Sequence, residues 1–138
     1  MKLKFRKAIV MVFSNLFLSQ DEKAKLSHLK NLVSAGFADG LIINDEFLAI
    51  VEIMKREGID RNAIEYYINH FKYIHFVEPT TVETKKTYLK DLIHFMTVYD
   101  GHISNERLDL YSMIATLYGF DSETTEVILK EKLNKDKQ

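Results

Sequence analysis

The sequence predicts an all-α protein of about seven helices in two pseudo-symmetric halves from an internal duplication. Three observations predict it. Asp39-Gly40-Leu41-Ile42-Ile43-Asn44-Asp45 is echoed at an offset of 61 by Asp100-Gly101-His102-Ile103-Ser104-Asn105-Glu106. The same offset matches Gly58-Ile59-Asp60 to Gly119-Phe120-Asp121, and a fixed register over two separated motifs points to a repeated unit. Apolar residues recur three and four apart along most of the chain, whereas Tyr73-Ile74-His75-Phe76-Val77 is the one β-rich stretch. The expected organisation is a single domain over 1–138, with an N-terminal helix at 1–18, copy one at about 20–76 and copy two at about 80–133.

Each element has its own signal. The first helix, from about residue 3 to 18, carries Phe5, Ile9, Val12, Phe13, Leu16 and Phe17 at helical spacing. The basic residues before it, Lys2, Lys4, Arg6 and Lys7, resemble the start of a signal peptide. No small-x-small cleavage site follows, and the apolar run is too short for a membrane span, so a retained first helix is expected. The second helix runs from about Asp21 to Ala38 behind a Ser19-x-x-Glu22 capping box, with Leu26, Leu29, Leu32, Val33 and Phe37 inward. The third runs from Asp45 to Glu57, with Asn44 as its cap and Gly58 as its stop. Asp60 caps a fourth, carrying Ile64, Tyr67, Ile68 and Phe71, whose end is expected to take in Tyr73 to Val77.

Pro79, the single proline, breaks the chain between the copies, because proline disfavours helix in the residue before it. Thr80-x-x-Glu83 then reads as a capping box for the fifth helix, with Leu89, Leu92, Ile93 and Met96 inward. The sixth follows Ser104 and presents Leu108, Tyr111, Ile114, Ala115 and Leu117. Asp121 caps the seventh, with Val127, Ile128 and Leu133 inward.

Composition narrows the function classes. The 138 residues are 46% hydrophobic and 28% charged with a net charge of -1, so a bulk basic field for nucleic acid or anionic membrane is absent. With no cysteine, disulfides, thiolate metal sites and cysteine nucleophiles are excluded, which fits a cytoplasmic location. The sequence holds no phosphate-cradling glycine loop, no G-x-S-x-G elbow and no His-Glu-x-x-His. Among the five histidines, His28, His70, His75, His94 and His102, none forms a His-x-x-x-His pair, and the carboxylate-x-x-His motif occurs once, as Asp91-x-x-His94. No catalytic residue is assigned, and a non-enzymatic protein is expected.

The Asp-Gly corners admit two readings. As structure, Gly40 and Gly101 allow a sharp turn and Ile42 and Ile103 point back into the core. Asp39 and Asp100 act as turn formers, and acids in the next helix's first turn favour its dipole. As a site, the same acids are candidate metal ligands. An EF-hand alignment on Gly40 puts Ala35 and Phe37 at the first ligand positions. On Gly101 it puts Met96, Val98 and, at the last ligand, Arg107, so that loop is not the match.

The corner pattern resembles the TerB-like family, related to tellurite-resistance proteins. Phe37-Ala38-Asp39-Gly40-Leu41-Ile42 through Glu46 to Gly58-Ile59 carries it. Val98-Tyr99-Asp100-Gly101-His102-Ile103 through Ile114-Ala115 to Gly119-Phe120 carries it again, over roughly residues 25–133. The resemblance implies a duplicated all-helical fold and a stress-associated binding or scaffold role. It also implies divalent-cation binding (calcium, magnesium or manganese suiting oxygen ligands) at Asp39, Glu46 and Asp100. Glu106 stands in where the family's helix-start glutamate falls on Arg107, and Tyr99 replaces the usual small residue. The alternative is a metal-free interaction module or homodimer using the tyrosine-rich surface of Tyr66, Tyr67 and Tyr73. Either way a protein partner is expected, with no nucleic acid and no transmembrane segment.

Overall fold

The computed structural model describes residues 18–137, and the first helix expected from the sequence lies outside them. The described residues form six α-helices and no strand. They are α1 (Gln20–Ala38), α2 (Asn44–Arg56), α3 (Arg61–His70), α4 (Val82–Thr97), α5 (Asn105–Leu117) and α6 (Ser122–Asp136), with a 3-10 turn at Phe71–Tyr73. The bounds of α2 and α5 differ by 61 at both ends, and α3 and α6 start 61 apart. Among the described residues, no helix is long and apolar enough to cross a membrane.

The N-caps show how local chemistry sets these bounds. The Ser19 hydroxyl accepts the Glu22 N–H at 3.2 Å, and the side chains of Asp60 and Asp121 accept from Ala63 and Thr124, all at the expected positions. Two caps differ from the sequence reading. Thr81, not Thr80, starts α4 by accepting the Thr84 N–H at 3.1 Å, while the Thr80 hydroxyl reaches across to Asp21 at 3.2 Å. Asn44 is the first helical residue of α2, and Ile43 occupies the N-cap position with no acceptor to offer.

The segment after α3 departs further. The helix ends at His70, and residues 74–80 run non-helically alongside α1, with the Val77 N–H donating to the Ser27 hydroxyl at 3.0 Å and Lys30 holding the Ile74 carbonyl. These long-range bonds satisfy backbone groups that a longer helix would have paired internally.

The helix α1 lies at the centre, touching α2, α3, α4 and α5, while α6 closes the far side against α4 and α5. Leu29, Leu32 and Val33 meet Ile50, Met54, Leu89, Ile93, Phe95, Tyr111 and Ile114 in one core. The expected inward faces of α1 and α4 are buried, Phe37 at the end of α1 excepted. Leu117 and Val127 are exposed, and Leu129 takes the inward place on α6. Central placement also buries Ser27, His28 and Asn31, so α1 is enclosed on polar faces that a single apolar stripe would leave in water.

Candidate functional site

The two Asp-Gly corners come together. Gly40 and Gly101 take φ of 107° and 76°, the left-handed region open to glycine, and the chain reverses at each. Ile42 and Ile103 tuck beneath their loops against the core, as their spacing predicts. Between the corners lies a cleft of about 500 Å³ whose lining includes Asp39, Leu41, Glu46, Tyr99, Asp100, His102 and Arg107.

Arg107 organises this cleft. It is 5% exposed, in the first turn of α5, and its guanidinium reaches back to the end of α1. Nε donates to the Ala35 carbonyl at 2.8 Å and lies 3.1 Å from Asp39 Oδ2, and Nη2 donates to the Gly36 carbonyl at 3.3 Å. Nη1 sits 2.5 Å from Oε2 of Glu46, itself 4% exposed. The Phe95 ring lies 5.4 Å from the guanidinium carbon. The last carbonyls of a helix have no partner within it, and α1 has no basic residue in its own last turn. Arg107 supplies both the donors and the positive charge that this helix end favours. Burial of the charge is offset by two carboxylates and the carbonyls together.

The four acids expected at a metal site therefore have different fates. Asp39 accepts the Ser104 hydroxyl on Oδ1 at 2.6 Å and pairs through Oδ2 with Arg107. Glu46 accepts the Ile43 N–H on Oε1 at 3.2 Å, supplying from N3 the cap bond that the Ile43 side chain cannot reciprocate, and pairs through Oε2 with Arg107. Asp100 accepts the His102 N–H at 2.9 Å, an Asx turn within its own corner. Glu106 is exposed and does not line the cleft. Among the described residues, no group of three or more histidines and carboxylates is arranged to hold a metal ion. Arg107 is the residue that draws Asp39 and Glu46 together.

A second polar cluster lies inside the helices. His28 on α1 is buried with Nε2 2.9 Å from Asp91 Oδ2, and its ring stacks on Tyr88 at 3.8 Å with an interplanar angle of 7°. Asp91 is also clamped by both terminal nitrogens of Arg56, at 2.5 and 3.0 Å. Burial drives His28 below its ordinary value despite the carboxylate beside it. Burial opposes the charge on Asp91, but hydrogen bonds from His28 and Arg56 outweigh it and hold the carboxyl below the usual range. A neutral imidazole beside an ionised carboxylate places the proton on Nε2, which donates. The helical spacing of Asp91 and His94 does not give the partners of Asp91, which are His28, 63 residues away, and Arg56, 35 residues away, and nothing local signals either.

Tyr66 and Tyr67 are half-buried against the small cluster of Leu26 and Ile74, and Tyr73 alone of the three is exposed. Comparison of the chain with protein-family models, with curated proteins and with solved structures finds no match in any of the three.

Proposed function

We propose that this protein is a non-enzymatic binding module that docks a protein partner in the cleft between its Asp-Gly corners. One observation carries the reading. Of the large hydrophobic side chains exposed among the described residues, the two most exposed are Leu41 at 77% and Tyr99 at 66%, and both line this cleft. Leu41 also borders a neighbouring groove of about 570 Å³ lined by Phe37, Phe47 and Ile68. Contiguous exposed apolar surface rimmed by polar groups is characteristic of a docking site, and an aromatic beside an aliphatic anchor suits a partner side chain.

The polar groups of the cleft support binding over chemistry. Asp39, Glu46, Ser104 and Arg107 are committed to one another and hold two rigid corners at a set separation. Preformed geometry of this kind lowers the ordering cost of association. A stress-associated scaffold role is the biological setting that the TerB-like corner motifs suggest.

The test is an NMR titration of labelled protein with a neutral peptide, Leu-Gln-Leu-Gln-Leu. The expected result is amide shifts concentrated at 40–43 and 99–103, lost in Leu41→Asp. Shifts elsewhere, or shifts that survive Leu41→Asp, overturn the reading.

A further inference from the structure

The charges around the cleft narrow the chemistry of its occupant. Asp39, Glu46 and Asp100 line it against a single guanidinium, that of Arg107. Both oxygens of Asp39 and both of Glu46 are engaged, by Ser104, Arg107 and the Ile43 N–H. Asp100 is different. Its Oδ1 takes the His102 N–H, and among the described residues its Oδ2 has no partner. The uncommitted carboxylate oxygen belongs to the residue next to Tyr99, whose ring is largely in solvent, with Leu41 on the same cleft.

We propose that the docked partner segment carries a cationic side chain, Lys or Arg, beside an apolar one. This rests on the reading of the cleft as a docking surface. The cation pairs with Asp100 and lies over the Tyr99 ring, since a cation over an aromatic face is attracted by its quadrupole. The adjacent apolar side chain covers Leu41. An acidic segment is disfavoured, because the cleft carries more carboxylates than cations and like charges at an interface suppress the wrong partner. The first turns of α2 and α5 add the exposed acids Asp45 and Glu106. One backbone N–H at each corner is already taken, that of Ile43 by Glu46 and that of Arg107 by Ser104.

The experiment compares three peptides, Leu-Arg-Leu-Arg-Leu, Leu-Gln-Leu-Gln-Leu and Leu-Glu-Leu-Glu-Leu, by NMR titration of the full chain. The arginine peptide is expected to bind about two- to fivefold tighter than the glutamine peptide, the scale of an exposed ion pair, and the glutamate peptide weaker than both. The advantage falls with added salt. Asp100→Asn keeps an acceptor for the Asx turn, and it removes the advantage of the arginine peptide over the glutamine peptide measured on the same variant. Tyr99→Leu keeps apolar area and reduces the advantage in part. Equal affinities for the three peptides, or a preference that survives Asp100→Asn, overturn the cationic occupant while leaving the docking cleft standing. Absence of shifts at the corners with every peptide overturns both.

Discussion

The Glu46 carboxylate and the Arg107 guanidinium, 2.5 Å apart, occupy the same position in the two corner segments, 61 residues apart. Each is the third residue of its helix. Where one corner segment carries an acid the other carries a base, and the two helix starts are tied to each other and to the end of α1.

Removing one partner of this pair leaves the other charge buried. Arg107→Met is expected to cost about 3–5 kcal/mol in urea denaturation, and the double variant Glu46→Leu with Arg107→Met to regain a substantial part of it. If the double variant is no more stable than Arg107→Met, the Ala35 and Gly36 carbonyls, rather than Glu46, are what the guanidinium chiefly serves.

Ser104 and Asn44, at the starts of these helices, make a contrast. Ser104 both accepts the Arg107 N–H and donates to Asp39, so Ser104→Ala is expected to lower stability by about 1–2 kcal/mol. Asn44→Ala is expected to change it by less than about 0.5 kcal/mol, because Asn44 lies inside the helix and caps nothing. A thermal melt of each variant separates the two, and equal losses would restore Asn44 as a cap.

Gly36 is needed for space. A Cβ there would sit 2.4 Å from Ile42 Cγ1 and 3.3 Å from Phe95 Cζ, so Gly36→Ala is expected to destabilise by about 1–3 kcal/mol through overpacking. Adding Ile42→Ala removes the clashing atoms and is expected to relieve part of the loss. A Gly36→Ala protein as stable as the parent would mean that the first corner slides freely on α1.

Acid is expected to weaken the fold through His28. Burial lowers its folded-state value, so the unfolded chain binds the proton more readily. This contribution is fully present above the ordinary histidine value of about 6.5 and is lost as pH falls below it, by at most about 1.4 kcal/mol per pH unit. Asp91, also held low, contributes stability present above the ordinary carboxylate range and lost only in stronger acid. Denaturation midpoints from pH 8 to 4 check this, and His28→Gln should flatten the upper window. An unchanged slope in that variant would assign the acid sensitivity to other groups.

Chelator-treated protein is expected to melt at the same temperature with calcium, magnesium or manganese, because Arg107 and Ser104 occupy the oxygens of Asp39 and Glu46 that a cation would need. A cation bound only by the folded state at a hundredfold excess over its dissociation constant would stabilise by about 2.7 kcal/mol. A rise of that size, abolished by Asp39→Ala or Asp100→Ala, would make the corners a metal site.

What the sequence determined by itself is local. Helical periodicity, caps such as Ser19, Asp60, Ser104 and Asp121, the glycine corners and the inward Ile42 and Ile103 are each encoded within a few neighbouring residues. They emerge as read because propensity, capping and turn chemistry act at short range. Asn44 yields its place to a local bond from Glu46 to the Ile43 N–H, whereas Thr80 and the 74–80 segment depart from their local signals because a distant partner competes: Asp21 takes Thr80, and Ser27 and Lys30 hold the stretch after α3. The candidate site belongs wholly to the second kind. That Asp39 and Glu46 meet Arg107, that Leu41 and Tyr99 share a cleft, and that His28 lies against Asp91 depend on how the helices pack. Contacts between residues 35 to 72 positions apart leave no periodicity in the chain, and only tertiary structure brings such charges close enough to decide what each carboxylate does.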